Sequence, residues 1–433
     1  MKLFGTMKKN QNGNLEIGMC DAVDLAKEYG TPLYVIDEEL VRRNCRTFKE
    51  NFKSYGIETE VIYASKAFLN LAICKVIEEE GLSLDVVSGG ELYTAIRSNF
   101  PLNRVYMHGN NKTEEELRLA IESNIGRIVV DNRYELELIQ ELCDELDKNI
   151  DVLLRVNPGV DAHTHEYIQT SKNDSKFGES IFSEDIYEVI KSFMKSERVT
   201  LRGFHCHIGS QIFQETSFYM SVSVMIDFIS RIKEKCDFVT RELNMGGGFG
   251  VYYCEGDSPI ELGNFLSNMV VSTKEECSKH NLAIPKIMIE PGRSIIANAG
   301  TTLYKIGGTK KTYGEKNYIF VDGGMTDNIR TALYDAKYEA VVANKLESNT
   351  NIEYTIAGKC CESGDIIIKD IVLPEVKRND ILAVLSTGAY NYTMASNYNR
   401  IPKPSVVFVK DGIARLAVKR ETYEDVLRND VMF

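Results

Sequence analysis

The sequence predicts an α/β protein in which a (β/α)8 TIM barrel precedes a second, mostly β domain, a sandwich or barrel, at the C-terminus. From about residue 31, short apolar runs alternate with longer amphipathic segments, which is typical of successive strand–helix units. After about residue 284 the helical periodicity fades, and strands with tight turns follow. A chain of 433 residues also exceeds one typical core. We therefore predict a barrel over 30–285 and a β domain formed by 1–29 and 286–433.

Eight apolar runs are the candidate barrel strands, at 32–36, 60–64, 83–87, 104–107, 127–130, 151–156, 201–207 and 242–245. Eight strand–helix units in about 250 residues fit a (β/α)8 barrel. A doubly wound open sheet is the competing arrangement. The G-x-G-x-x-G pattern typical of that sheet does not follow the first strand, which favours the barrel.

Local signals mark several of the other elements. Thr113 and Glu116 form a capping box at the start of one predicted helix, and another helix is predicted after Asn132. KDG at 410–412 is typical of a hairpin turn between two strands. Further helices are predicted at 21–29, after Ser183 and at about 218–235, and further strands at 15–17, 317–321, 380–385, 406–409 and 413–418.

The composition is that of a soluble globular protein, with 43% hydrophobic and 26% charged residues. A net charge of −12 argues against nucleic acid as a partner. No apolar run is long enough for a membrane span, and the basic N-terminal residues lack the apolar stretch of a signal peptide. Ten cysteines without a C-x-x-C pair suggest reduced thiols and a cytoplasmic location.

The most unusual strand end is that of VIYASKA at 61–67, because a buried strand finishes there on the ammonium of Lys66. Burying that charge without a partner is costly. For a lone lysine, a head group that reaches solvent at an ordinary strand end is the commoner explanation. The functional interpretation is an amine that condenses with a carbonyl group, as in a pyridoxal phosphate Schiff base.

Three more unusual stretches fall at predicted strand ends, which is where a (β/α)8 barrel holds its chemistry. They are GFHCHIGS at 203–210, MGGGFG at 245–250 and IEPGR at 289–293. Consecutive glycines let backbone N–H groups approach an anion, so the second stretch could cradle a phosphate, with Ser210 donating a further hydrogen bond. A plain tight turn is the alternative explanation.

The histidines and the carboxylate complete this set. His205 and His207 point to the same face of a strand, which suggests zinc, but Cys206 faces away and no third ligand has matching spacing, so we predict no metal site. We expect His207 to stack on a cofactor ring and His205 to be a packed core residue. Glu290 could keep a pyridine nitrogen protonated, and Arg293 could bind a phosphate or a carboxylate. Together these groups favour pyridoxal phosphate.

Longer motifs then show a resemblance that extends over nearly the whole chain. The sequence resembles the diaminopimelate decarboxylases, in the alanine racemase–ornithine decarboxylase class of pyridoxal phosphate enzymes. The departures are small and remove no chemical group that the mechanism needs: Lys359 and Cys360 precede CESGD, Thr331 stands where proline is usual, and Asn391 follows GAY. The motifs are YASKA, DVVSGGEL at 85–92, NPGVDAHTHEYIQT at 157–170, DSKFG at 174–178, HCHIGSQ, GGGFG, EPGR, DNIRTALYDA at 327–336, CESGD at 361–365 and GAYNYTMASNYN at 388–399.

The resemblance implies a role for each matching residue. Lys66 would bind the cofactor covalently, His207 would stack on its ring and Glu290 would pair with its nitrogen. Cys361 would be the proton donor, supplied across the interface of a homodimer whose active sites lie at that interface. The remaining cofactor-binding positions would be Ser210, Gly247, Gly248, Gly292, Arg293 and Tyr390, and the substrate-binding positions Arg293, Arg330, Tyr334, Glu362 and Tyr390.

The implied reaction is decarboxylation of meso-2,6-diaminopimelate to L-lysine and carbon dioxide, the last step of lysine biosynthesis. Residue types give an additional charge argument for this substrate. Two arginines and a tyrosine suit its distal carboxylate, and Glu362 suits its distal ammonium. Ornithine has no distal carboxylate, so the two arginines would face a cation.

Three other functions remain as alternatives. An amino-acid racemase would share the barrel, the lysine and the cofactor, but it would need a base on each face of the substrate carbon. A non-catalytic pyridoxal phosphate carrier would not need the CESGD and GAY motifs of the second domain. A decarboxylase of arginine, ornithine or carboxynorspermidine is the nearest alternative, and Arg330 with Tyr334 discriminates against it.

Overall fold

The computed structural model describes residues 2–160, 175–347 and 351–433 and divides the chain into two compact units. The barrel unit contains Cys45–Gly250 and Pro259–Gly292. The β unit contains Met1–Asn44, Val251–Ser258 and Arg293–Phe433. Residues 161–174 lie outside the described part of the chain. The predicted motif at 157–170 is therefore described only up to position 160, and the DSKFG motif at 174–178 only from position 175.

The barrel unit is a closed parallel barrel, as predicted. Each strand pairs in parallel with its neighbours, and pairing of Arg127–Val130 with Ile150–Asn157 closes the circle. A two-residue strand, Glu179–Ser180, adds to the outside of Ile150–Asn157. The barrel strands are Thr59–Ala64, Ser83–Val86, Val105–Met107, Arg127–Val130, Ile150–Asn157, Val199–His205, Glu242–Asn244 and Lys286–Ile289.

Helices follow the strands in the alternating order that a (β/α)8 barrel requires. Asp185–Met194 and Glu215–Cys236 pack against each other, and so do Glu215–Cys236 and Leu262–Lys279. The helix Glu38–Asn51 begins in the β unit and ends in the barrel unit. The remaining helices of the barrel unit are Leu71–Glu79, Gly89–Arg97, Glu114–Glu122 and Arg133–Leu146, with short 3-10 turns at Ser65–Ala67 and Leu102–Arg104.

One predicted barrel strand belongs to the other sheet, so that prediction is wrong, and one barrel strand was not predicted. The run at 32–36 is a strand, Leu33–Asp37, but it pairs with Gly300–Lys311 and Ser405–Lys410 in the β unit. An apolar run followed by a helix looks the same in either sheet, because its partners lie far away in sequence. The true eighth strand is Lys286–Ile289, which pairs with Glu242–Asn244 and Thr59–Ala64. The predicted barrel ended at residue 285, so this run was assigned to the β domain.

The β unit is mostly sheet, in agreement with the predicted fold class. Its large sheet runs from Ile366–Leu373 at one edge to Ile413–Val418 at the other, and a separate three-stranded sheet lies near the N-terminus. The strands are Lys8–Lys9, Leu15–Ile17, Cys20–Asp21, Leu33–Asp37, Gly300–Lys311, Asn317–Val321, Ala340–Val342, Ile352–Ala357, Ile366–Leu373, Ile381–Val384, Ser405–Lys410 and Ile413–Val418. The helices are Ala22–Tyr29, Arg293–Ile296, Arg330–Tyr334 and Tyr423–Leu427. Short 3-10 turns lie at Ala297–Ala299, Tyr392–Met394 and Tyr398–Arg400.

Several local signals are confirmed. Thr113 and Glu116 form both hydrogen bonds of the capping box that begins Glu114–Glu122. The predicted hairpin forms, with Asp411 (φ 52°) and Gly412 (φ 77°) both in the left-handed region that a tight two-residue turn requires. Among the described residues, no helix has both the length and the apolar character needed to cross a membrane.

Side chains from successive barrel strands fill the barrel interior. Ile62, Tyr106, Val129, Leu153 and Met288 form one buried cluster there. Bulky side chains fill the interior of a packed (β/α)8 barrel in layers. The barrel is therefore a solid support, and its chemistry is confined to the ends of its strands.

We predict that Leu153→Ala lowers the free energy of unfolding by about 2 to 5 kcal/mol, because it leaves a cavity in this cluster. Leu71→Ala, at a half-exposed helix position, is the matched control and should cost within about 0.5 kcal/mol. Urea unfolding followed by circular dichroism measures both. Equal losses in the two variants would contradict a packed barrel interior.

Candidate active site

Lys66 follows the barrel strand Thr59–Ala64, in the turn Ser65–Ala67. Ser65 and Ala67 are buried, whereas Lys66 itself is exposed on the barrel unit. The turn is held by the backbone N–H of Ser65, which donates to Asp85 Oδ1 at 3.2 Å, and by Ser65 Oγ, which donates to Glu91 Oε2 at 2.8 Å. The amine therefore projects from a fixed backbone at the carboxyl end of a strand.

Asp85 is a residue that the sequence analysis did not single out. Burial raises the pKa of its carboxyl group to about 7, and the charge of Glu290 adds to this increase, while His108 and Lys66 act in the opposite direction. A carboxyl group that titrates near neutral pH at a strand end is typical of functional sites. The only signal in the sequence was its position at the start of the DVVSGGEL motif.

The centre of the strand ends is the carboxylate of Glu290, which is buried and surrounded by hydrogen-bond donors. Asn244 Nδ2 donates to Oε1 at 2.7 Å. Nε2 of His108 lies 2.8 Å from Oε1, and Nε2 of His205 lies 3.1 Å from Oε2. Three different strands thus deliver groups to one carboxylate.

These contacts fix the charge of the carboxylate. Burial alone would raise the pKa of Glu290, but the neighbouring imidazoles of His108 and His205 and their hydrogen bonds lower it well below its usual range. Burial lowers the pKa of His205 to about 4. Near neutral pH we therefore expect an ionised Glu290 that accepts from the N–H of a neutral His205.

The environment of His205 differs from the one predicted. The residue is buried, as expected, but it also contacts Glu290 and lies edge-on to His108, with ring centroids 4.8 Å apart. The ligand atoms of His108, His205 and Glu290 lie within 4.8 Å of one another, so these side chains could also hold a metal ion. The expectation that the protein has no metal site stays a prediction.

His207 follows the end of the strand Val199–His205 and lies against the glycine turn. Its Nδ1 accepts a hydrogen bond from the backbone N–H of Gly247 at 3.1 Å. Burial, together with the positive charges of Lys66 and Arg155, lowers the pKa of His207 well below its usual range. The ring is thus a neutral, flat group, which suits stacking on an aromatic ring.

The triple-glycine turn has the geometry that the sequence suggested. Gly246 (φ 69°) and Gly248 (φ 103°) occupy the left-handed region. A Cβ atom on Gly247 would lie 2.2 Å from the backbone oxygen of Glu290, and one on Gly248 would lie 2.4 Å from that of Gly209. The backbone N–H of Ile212 donates to Gly248 at 2.9 Å, so the segment that contains the predicted Ser210 lies beside the turn.

Gly292 is also required by close packing. A Cβ atom there would lie 2.8 Å from the Cβ atom of Ala64, at the end of the strand that leads to Lys66. Within the barrel unit, the predicted amine, stacking ring, glycine turn and carboxylate therefore all lie at strand ends. A glycine turn whose backbone carries no side chains, a neutral ring and an ionised carboxylate fit the phosphate, face and pyridine nitrogen of pyridoxal phosphate.

The predicted substrate-binding residues lie in the β unit, and two of them form a buried arginine pair. Arg293 Nη1 donates to Tyr253 Oη at 2.8 Å, and Arg330 Nη1 donates to Tyr338 Oη at 2.6 Å. The predicted Tyr390 lies beside both guanidinium groups, with its ring centroid 4.7 Å from Cζ of Arg293 and 6.0 Å from that of Arg330.

This pair creates a positive potential inside the β unit. Burial would raise the pKa of Tyr253, but the charges of Arg293 and Arg330 outweigh burial and lower it. Tyr253 and Tyr338 were missed in the sequence, because tyrosines are common in β domains and no spacing marks these two. The arginine–tyrosine cluster is a site that favours a bound anion.

The other three predicted substrate and catalytic residues are more exposed. Tyr334 ends the helix Arg330–Tyr334 and is half-buried. Cys361 and Glu362 are exposed, and the backbone N–H of Cys361 donates to Asn399 Oδ1 at 2.8 Å. In the part of the chain that the structure describes, neither Cys361 nor Glu362 bonds to the arginine pair.

Comparison with known families agrees with this chemistry. The model of the pyridoxal-dependent decarboxylase family, pyridoxal binding domain, matches residues 38–297. That range contains the barrel strands and the strand ends described above.

Known proteins extend the similarity to the full chain. The diaminopimelate decarboxylase of Bacillus subtilis is 52% identical over all of this chain and 99% of its own length, and that of Staphylococcus aureus is 46% identical over 98% and 99%. The crystal structure of diaminopimelate decarboxylase from M. jannaschii in complex with L-lysine has a TM-score of 0.92 and 35% identity, covering 99% of this chain and 98% of that one. The chain therefore belongs to the diaminopimelate decarboxylase family of pyridoxal-dependent enzymes.

Proposed function

We propose that the protein decarboxylates meso-2,6-diaminopimelate to L-lysine and carbon dioxide, the last step of lysine biosynthesis, with pyridoxal phosphate as cofactor. The observation that carries the choice of substrate is the buried pair formed by Arg293 and Arg330. A substrate with a second carboxylate at its far end would compensate both charges, whereas a diamine-forming substrate would not.

The barrel unit would hold the cofactor. Lys66 would be its covalent anchor. Ser210, Gly247, Gly248 and Gly292 would hold its phosphate, and His207 would stack on its ring. When bound, pyridoxal phosphate supplies an electron sink for the negative charge left by the departing carboxylate. Glu290 strengthens that sink, because an ionised carboxylate favours a protonated ring nitrogen.

The β unit would recognise the end of the substrate that does not react. Arg293 and Arg330 bind its carboxylate, Tyr334 and Tyr390 line the site, and Glu362 binds its ammonium group. Discrimination follows from charge: two buried guanidinium groups attract a ligand that carries this carboxylate and repel one that carries only a cation there.

Cys361 would complete the reaction by giving a proton from its Sγ to the carbon that has lost carbon dioxide. Its exposure, together with that of Glu362, supports a homodimer in which one protomer supplies these side chains to its partner's site. The cysteines are free thiols, which supports a cytoplasmic location.

Product formation tests the proposed substrate directly. We expect purified protein with pyridoxal phosphate to convert meso-diaminopimelate to L-lysine with equimolar carbon dioxide, and to leave ornithine and arginine unchanged. Liquid chromatography with mass spectrometry measures the products. Putrescine from ornithine without lysine from diaminopimelate would contradict the proposal, and loss of optical purity without carbon dioxide would indicate a racemase.

The role of Cys361 gives a second test. We predict that Cys361→Ala lowers turnover by at least about a hundredfold, as expected for loss of a general acid, while the visible absorbance of the bound cofactor persists. Cys20→Ala, at a half-buried position in the N-terminal sheet, is the matched control and should keep turnover unchanged. Near-normal turnover in Cys361→Ala would remove the proton-donor assignment.

A further inference from the structure

The arginine pair is held by two tyrosines that no family motif singled out. Tyr253 and Tyr338 are both buried, and their rings meet edge to face, with centroids 5.6 Å apart and an interplanar angle of 89°. Each phenol oxygen accepts a hydrogen bond from one guanidinium group, Tyr253 from Arg293 and Tyr338 from Arg330. The two tyrosines therefore join the two arginines into one packed unit.

Tyr253 contacts both arginines. Besides accepting from Arg293, it presents its ring to Arg330, whose Cζ lies 5.1 Å from the ring centroid. The backbone of Tyr253 is itself fixed, because its N–H donates to Asp257 Oδ2 at 2.8 Å. A guanidinium group that donates a hydrogen bond to a fixed phenol oxygen and lies against a fixed ring loses little freedom when an anion binds.

The choice of tyrosine has a chemical consequence. Among the described residues, no carboxylate lies within ion-pair distance of Arg330, and its contacts are with Tyr253, Tyr338 and Tyr390. An aspartate or glutamate here would orient the guanidinium but would also occupy it. A phenol oxygen can orient it and leave its second face of N–H donors for a ligand carboxylate.

We propose that Tyr253 and Tyr338 are positioning residues that hold Arg293 and Arg330 as a paired site for the carboxylate that substrate and product share. The inference rests on the proposed function, in which L-lysine keeps that carboxylate. Both tyrosines act through the arginines, so their removal weakens ligands that carry the carboxylate and spares ligands that lack it.

Binding to the holoenzyme separates this role from a general structural one. L-lysine and cadaverine, the diamine that lacks the carboxylate, are titrated calorimetrically into wild type, Tyr253→Phe and Tyr338→Phe. We expect the Kd for L-lysine to rise about tenfold in each variant, as for loss of a hydrogen bond to a charged group, and the Kd for cadaverine to change less than about twofold. The KM for diaminopimelate should rise with little change in kcat.

Tyr252→Phe is the matched control, because this neighbouring hydroxyl donates to Glu339. It should leave both ligands unaffected. Cofactor absorbance and melting temperature establish that each variant is folded, and if Tyr253→Phe does not fold, Tyr338→Phe carries the same expectation.

Two results would overturn the inference alone: an unchanged Kd for L-lysine in the folded variants, or equal weakening of both ligands. A wild-type protein that binds L-lysine no more tightly than cadaverine would overturn the proposed carboxylate site as well. The two failures are therefore distinguishable in the same titration.

Discussion

The site depends on keeping one carboxylate charged inside a barrel. Taking an ionised carboxylate out of water costs several kcal/mol, and the group would bind a proton if nothing compensated it. Glu290 avoids this because His108, His205 and Asn244 come from three other strand ends and meet at its two oxygens. Only a closed parallel barrel brings the carboxyl ends of strands so distant in sequence to one point.

Close packing of the backbone around Glu290 explains the glycines nearby. The chain that carries Glu290 passes so close to Gly247 that a side chain at position 247 would strike its backbone oxygen. Gly292 likewise allows a close approach to Ala64, next to the turn that carries Lys66. Close backbone packing thus brings the glycine turn, the carboxylate and the turn that carries Lys66 to adjacent strand ends, so these groups belong to one framework.

The sequence indicated the candidate groups at the strand ends better than the residues that contact them. Lys66 and the glycine turn lie in recognisable motifs at strand ends, so a short local sequence pattern marks each of them. His108 and Tyr253 lie in unremarkable stretches, and their importance comes only from contacts made over long sequence distances. The strand Leu33–Asp37 was assigned to the wrong sheet for the same reason, because an apolar run specifies burial but does not specify its pairing partner.

The most direct measurement concerns the covalent attachment of the cofactor. Protein loaded with pyridoxal phosphate is reduced with borohydride, which makes the bond between cofactor and lysine permanent, and is then digested and sequenced by mass spectrometry. We predict that the pyridoxyl group is found on Lys66 and that Lys66→Ala yields no labelled peptide. A label on another lysine, such as the buried Lys112, with Lys66 unmodified, would contradict the assignment of this barrel end as the cofactor site.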